Sequence, residues 1–283
     1  MKIQLDSSID NYAVMGNPVA HSKSPQIHAA FAEQSNQIIF YQAIQVDDGN
    51  FHAAVKEFQA QGGKGLNITV PFKGEAWEIS EGRSNRAERA LAVNTISFDD
   101  AGKIIGDNTD GIGLVRDLTI NQGIAIKDKD ILILGAGGAV RGILDPLIDE
   151  HPDRVVIANR TVSRAGKLAD IFSDHVDISA CGFDELAGSS FDIVINGTSA
   201  SLQGEVPSLP DGLLNDNACC YDMMYSMSDT LFVSWAKAHG AFKAIDGLGM
   251  LVEQAAESFF IWRGVRPETG SVIKLLGRVK CEE

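Results

Sequence analysis

The alternation of apolar and polar positions divides the chain into strands and helices almost from its start. Tyr12-Ala-Val-Met-Gly16 is an apolar run of strand length. Ser24-Pro25 then predicts a helix start, with serine at the N-cap and proline at the first helical position. Ile27, Ala30, Phe31 and Gln34 continue at helical spacing. Residues 38–46 read as a strand, and Phe51, Val55 and Phe58 line one side of a second helix. Between Gly65 and Lys73 the period is two. Leu66, Ile68 and Val70 therefore share one face, Asn67 and Thr69 the other, and Pro71 ends the strand. Residues 92–98 and 103–106 read as strand, turn and strand. Asp107-Asn-Thr-Asp-Gly111 then opens a helix with Leu114, Val115 and Leu118 on its apolar side.

Further on, the strands become continuously apolar. Residues 131–134, 155–158, 191–199 and 218–225 read as four strands separated by helical patterns, which predicts a parallel sheet covered on both faces. Residues 242–250 lead into a last long helix carrying Leu251, Gln254, Ala255, Ser258, Phe259 and Trp262. The fold class expected is α/β, with an N-terminal α/β domain and a Rossmann-like domain.

Length and charge narrow the function. A chain of 283 residues predicts two domains. A net charge of −14 excludes non-specific binding to nucleic acid or to an anionic membrane, so an anionic ligand needs a local concentration of donors. Cys181, Cys219, Cys220 and Cys281 make no metal-ligand spacing, and no metal is expected. The start of the chain reads as no signal peptide and no apolar run reaches spanning length, so a cytoplasmic location is expected.

The strongest chemical signal is Gly135-Ala-Gly-Gly-Ala139, between the strand at 131–134 and a helix through Ile143, Leu144, Leu147 and Ile148. Gly135 permits a tight turn, and Gly137 and Gly138 let backbone approach a ligand. The unpaired N–H groups opening the helix suit a pyrophosphate. Val140 stands where the strict fingerprint has its third glycine, and an ordinary strand–turn–helix would carry similar glycines. The following strand decides for a nucleotide. It ends in Asn159-Arg160-Thr161 with Arg164 beyond, and has no acid where an NAD site places one for the ribose. Two guanidinium forks there predict a 2′-phosphate, hence NADP(H). Asn196, Thr198, Ser199 and Met224 fall at strand carboxyl ends on the same side.

In the N-terminal part, Ser22 and Ser24 lie where hydroxyls and a helix start converge, a seat for a carboxylate, although Ser24 could serve only as a cap. Lys73 stands beyond a strand end in the company of Asn67 and Thr69. Asp110 is either a second member of that group or a helix cap.

Together these segments resemble the shikimate dehydrogenase family over almost the whole chain. The motifs are residues 16–25 (GNPVAHSKSP), 67–73 (NITVPFK), 92–95 (AVNT), 106–111 (GDNTDG), 135–139 (GAGGA), 159–161 (NRT) and 246–255 (DGLGMLVEQA). The resemblance implies a two-domain enzyme that reduces 3-dehydroshikimate to shikimate with NADPH. It implies Lys73 and Asp110 as the catalytic pair. Ser22, Ser24 and Thr69 would hold the substrate carboxylate with Tyr225 nearby, and Asn67, Asn94, Asp110 and Gln254 the carboxylate side or the ring hydroxyls. Gly249 and Met250 would lie near the nicotinamide. Ser226-Met227 follows Tyr225, where many members carry a proline two residues on. The expected division is 1–105 with 247–283 for the substrate and 106–246 for NADP, as a monomer or homodimer. Three rivals remain: a quinate/shikimate dehydrogenase of relaxed specificity, a silent NADP-binding protein, and a methylenetetrahydrofolate-type dehydrogenase. The intact Lys73 and Asp110 speak against the silent protein, and the first hundred residues against the folate enzyme.

Overall fold

Two six-stranded sheets organise the chain in a computed structural model that describes residues 5–6, 8–198 and 205–282. They belong to two compact units. The first runs to Gly113 and takes in Val252–Val272; the second comprises Leu114–Leu251 and the chain from Ile273.

The first unit holds β1 (Asp10–Gly16), α1 (Ser24–Gln34), β2 (Ile39–Gln45), α2 (Phe51–Ala60), β3 (Gly63–Ile68) and α3 (Lys73–Ile79). It continues through β4 (Gly82–Arg83), α4 (Asn85–Ala90), β5 (Thr95–Phe98), β6 (Ile104–Asp107) and the start of α5 (Asp110–Arg116). Its sheet has the order β2-β1-β3-β5-β6-β4. The β2-β1-β3 part is parallel, and β5 runs antiparallel to both β3 and β6. Phe51, Phe58, Leu66, Phe72, Val93 and Ile96 are fully buried on one side, and Phe51 stacks on Phe72 at 5.0 Å. Burying each such side chain contributes about 1.5–3 kcal/mol.

Two expectations are corrected here. β3 ends at Ile68 and Val70 is 68% exposed, because the chain turns over 70–72, where Phe72 N donates to Thr69 O at 3.1 Å, before Val70 can continue the buried face. Ser24 is the first residue of α1 and Lys23 the cap position, so Pro25 stands second and the serine hydroxyl is released from capping.

The second unit holds β7 (Asp130–Leu134), α6 (Gly138–Ile148), β8 (Arg154–Ala158), α7 (Val162–Phe172), β9 (Asp177–Cys181) and β10 (Phe191–Asn196). β11 (Leu214–Asp222), α8 (Leu231–Ala238), β12 (Lys243–Ile245) and the beginning of α9 (Leu248–Arg263) follow, and α10 (Gly270–Glu282) closes the chain. All strands are parallel in the order β12-β11-β10-β7-β8-β9, the doubly wound arrangement. Alternate residues of β7 enter different cores: Ile131 and Ile133 pack with Ile143, Leu147 and Phe172, Leu132 and Leu134 with Phe232 and Val194. That explains the unbroken apolar run. The edge strands β9 and β12 are not among those the apolar runs predict, since β9 is largely half-exposed and β12 is three residues long.

The strand order reverses between β7 and β10, and there the two strand ends approach closely. Gly135 has φ +104°, and a Cβ on it would lie 3.2 Å from the Gly197 carbonyl. Gly197 N donates to Leu134 O at 2.9 Å. Only glycine serves at position 135.

Candidate active site

In the first unit the carboxyl ends of β1 and β3 are tied together. Thr69 N donates to Met15 O and Asn17 N to Val70 O, both at 2.9 Å. Gly16 makes this possible, because a Cβ there would fall on the Thr69 methyl. Ser22, half-buried, accepts from Ser24 N at 3.2 Å at the start of α1, and Thr69 lies against Gly16 at the end of β1.

The register Asn67↔Thr95↔Asp107 across β3, β5 and β6 brings the remaining polar residues into one network. Lys73, first in α3, donates from Nζ to Asp110 Oδ2 at 2.5 Å, with side-chain exposures of 27% and 11%. Asn94 Nδ2 donates to Asp110 Oδ1 at 2.7 Å and to Thr109 Oγ1 at 3.0 Å. Asn94 Oδ1 accepts from Thr109 N at 2.9 Å and Thr95 Oγ1 at 2.8 Å. Asp110 therefore does not cap α5. Its own N–H is taken by Asn108 Oδ1 at 3.1 Å, and its carboxylate is spent on Lys73 and Asn94. Gln254, half-buried on α9, accepts from Thr109 Oγ1 at 3.5 Å, and Ser258 one turn later meets Thr95 Oγ1 at 2.8 Å and Asn67 Nδ2 at 2.9 Å.

The base of this segment is braced by charge. Arg86 grips Asp107 with two nitrogens, at 2.7 and 2.9 Å, and reaches Glu257 at 3.2 Å. Burial opposes the charge on Arg86, but its two carboxylate partners outweigh that and hold the guanidinium pKa above its usual value. Asp107 in turn accepts from Asn108 N at 2.7 Å, which fixes the approach to Asp110. Thr95, Thr109, Asn108 and Ser258 were not singled out in the sequence. Only Ser258 left a signal, its spacing of four from Gln254 on one helix face.

The other candidates lie in the second unit. Ala136 is half-buried, and Gly137, Gly138 and Ala139 are exposed at the start of α6, which no side chain caps. A Cβ on Gly137 or Gly138 would meet nothing within 4 Å. Asn159 Nδ2 donates to Thr161 O at 2.9 Å, and Arg160 and Arg164 are exposed, their guanidinium groups with no hydrogen bond or ion pair among the described residues. Thr198 Oγ1 donates to Asn196 Oδ1 at 2.7 Å. Asn196 Nδ2 donates to Asp222 Oδ1 at 3.0 Å, which also accepts from Met224 N at 3.1 Å. Tyr225 is half-buried, which pushes its phenol pKa up. Gly249 lies against Asp117 so tightly that a Cβ would fall inside the carboxylate, and Met250 N donates to Tyr221 Oη at 3.2 Å. Ser199 lies outside the described residues. The free thiols of Cys219 and Cys220 are buried, which pushes both up to about 12. Among the described residues there is no His/Cys/Asp/Glu cluster fit for a metal, and no helix is long and apolar enough to cross a membrane.

Comparison with known proteins gives three successive family matches. Residues 14–96 match the shikimate dehydrogenase substrate binding domain, 118–203 shikimate / quinate 5-dehydrogenase, and 247–276 the shikimate 5′-dehydrogenase C-terminal domain. A shikimate dehydrogenase (NADP(+)) of Alkalilimnicola ehrlichii is 61% identical over 267 residues, covering 94% of this chain and 98% of that protein. Among solved structures, an Ael1 enzyme from Pseudomonas putida is 46% identical with a TM-score of 0.89, covering 94% of this chain and 98% of that one. Shikimate 5-dehydrogenase from Thermus thermophilus, solved in complex with NADP(H) and shikimate, is 30% identical with a TM-score of 0.84, covering 96% of this chain and 100% of that one. The chain belongs to the shikimate dehydrogenase family.

Proposed function

We propose that this protein is an NADP-dependent oxidoreductase that interconverts 3-dehydroshikimate and shikimate. The observation that carries the reading is the Lys73–Asp110 pair at 2.5 Å with Asn94 on the second carboxylate oxygen. Reducing a ketone requires a hydride at carbon and a proton for the developing alkoxide. The Lys73 ammonium is a donor that both neutralises that charge and carries a proton at Nζ. Asp110, immobilised by Asn94 and Asn108, aims the ammonium. A binding module has no use for so constrained a pair.

Ser22 and Ser24 at the start of α1, with Thr69 beyond the end of β3, suit the substrate carboxylate. Asn67 and Gln254 suit ring hydroxyls, which an amide oxygen accepts, and Asn94, its amide engaged by Thr95, Thr109 and Asp110, holds Asp110 in place.

The residues of the second unit fit NADP(H). The uncapped start of α6 and the empty space over Gly137 and Gly138 suit a pyrophosphate between Gly135 and Ala139. Arg160 and Arg164, which pair with no carboxylate among the described residues, suit the 2′-phosphate, with Asn159 and Thr161 beside them. Thr198, Ser199, Met224, Gly249 and Met250 complete the assignment, the last two at the nicotinamide. The cofactor, when bound, supplies the hydride.

The test is NADPH formation with shikimate, beside quinate and beside NAD⁺. Turnover confined to shikimate with NADP⁺ is expected. Comparable quinate or NAD⁺ rates would make the protein a quinate/shikimate dehydrogenase of relaxed choice. Absence of turnover in protein that binds NADPH would overturn the enzymatic reading.

A further inference from the structure

One side chain that no motif singles out joins this network from β2, the edge strand of the first sheet. Tyr41 is 8% exposed, and its ring lies flat on the imidazole of His28, centroids 4.2 Å apart at 8°. Its hydroxyl donates to Asn67 Oδ1 at 2.8 Å. One phenol on β2 thus holds the amide at the end of β3.

The orientation of the Asn67 amide follows from its neighbours. Nδ2 faces Ser258 Oγ at 2.9 Å, Asn94 O at 3.3 Å and Thr95 Oγ1 at 3.3 Å. The two hydroxyls could donate or accept, but the Asn94 carbonyl can only accept, so the nitrogen belongs on that side. Both amide protons are then engaged by the protein. Oδ1 has two acceptor positions, and Tyr41 occupies one. The free capacity of Asn67 is therefore a single lone pair, suited to an O–H donor and unsuited to a carboxylate.

His28 makes the platform rigid. It is fully buried among Phe31, Tyr41, Phe259 and Trp262, and neither ring nitrogen finds a hydrogen-bond partner among the described residues. It acts here as a flat neutral plate under Tyr41.

We propose that Tyr41 is a positioning residue of the substrate site. Its hydroxyl, bound to Asn67 Oδ1, leaves one lone pair of that oxygen for a ring hydroxyl of a cyclic polyol carboxylate, and so makes one substrate hydroxyl a requirement. This rests on the assignment of Asn67 to the substrate made above.

The experiment compares wild type, Tyr41→Phe, Asn67→Ala and the double variant on shikimate and on the monodeoxy shikimates. Tyr41→Phe keeps the ring on His28 and removes only the hydroxyl. Its KM for shikimate is expected to rise about tenfold, with kcat and the KM for NADP⁺ within about twofold. Adding Tyr41→Phe to Asn67→Ala is expected to change nothing further, because the phenol acts through the amide. On the analogue lacking the hydroxyl that Asn67 holds, wild type and Tyr41→Phe are expected to coincide. Equal losses on shikimate and every analogue, additive losses in the double variant, a parallel rise in the KM for NADP⁺, or failure of Tyr41→Phe to fold would each make Tyr41 a core residue and overturn the proposal. Wild-type protein that turns over shikimate while Tyr41→Phe matches it overturns this proposal alone. Wild-type protein that turns over no shikimate overturns the proposed function with it.

Discussion

Lys73 sits where its contribution can be separated from binding. Its ammonium is held by Asp110 before any ligand arrives, so removing it leaves the seat at Ser22, Ser24 and Thr69 untouched. Lys73→Ala is expected to lower kcat by about 10³-fold, the size of losing one well-placed donor to a developing oxyanion, with the KM for shikimate within a few-fold. Steady-state kinetics decide it, and a loss confined to KM would make Lys73 a binding residue. Arg160 offers a second separation. Its guanidinium is exposed and has no partner among the described residues, so a 2′-phosphate would meet no internal competitor. Arg160→Ala is expected to raise the KM for NADPH about 10- to 100-fold, as a charge-assisted bond of about 1.5–3 kcal/mol implies, and to leave NADH almost unchanged. Equal losses with both cofactors would refute the phosphate assignment.

At the scale of elements, two glycines at helix starts separate space kept for a ligand from space needed for packing. Gly137 precedes α6 with φ −89° and ψ −178°, extended backbone open to any residue, and a Cβ there meets nothing. Gly249 in the first turn of α9 abuts the Asp117 carboxylate, which is itself held by the Tyr221 hydroxyl at 2.6 Å. Gly137→Ala is expected to keep its unfolding midpoint and lose NADP⁺ affinity. Gly249→Ala is expected to cost about 1–3 kcal/mol of stability, as overpacking against a fixed group does. Urea unfolding beside NADP⁺ titration checks both, and the reverse pattern would exchange the two roles. Such glycines also mark how far the chain was legible. The strand runs, the glycine turn and the arginines beyond β8 could be read because each depends on residues close in sequence. Lys73 could be marked by its place beyond a strand end, but its meeting with Asp110 and Asn94 could be read only through the family resemblance, since it depends on the register of β3, β5 and β6. Tyr41 and Thr95 come from separate strands, and no local period marks them. Val70 was misplaced because period two says nothing of where a strand stops, and β9 and β12 escaped because edge strands bury too little to show a pattern.

For the whole molecule, acid sensitivity sets a general effect against a local one. With 38 acidic and 24 basic residues, mild acid lowers the net charge and relieves repulsion, which favours the folded chain. His28 acts in the opposite direction. Burial, only partly offset by the neighbouring Asn67 side chain, pushes its pKa down to about 3. Of the rings packed on it only Tyr41 titrates among the tyrosines, and burial pushes that phenol well above its usual value, so it stays neutral throughout. In the unfolded chain a histidine takes up a proton near pH 6.5. Below that pH the unfolded state binds one proton more than the native state, so stability falls as pH falls from 6.5 towards 3. The slope is about 1.4 kcal/mol per pH unit, which amounts to about 2 kcal/mol at pH 5. His28→Phe keeps an aromatic plate under Tyr41 and removes the proton site. Urea unfolding of the first unit's transition at about pH 7.5 and about pH 5 is expected to show wild type losing about 2 kcal/mol more than His28→Phe over that interval. An equal change in both proteins would mean that His28 takes up its proton in the folded chain. The plate under Tyr41 would then be cationic in mild acid, and the KM for shikimate would shift with the same titration.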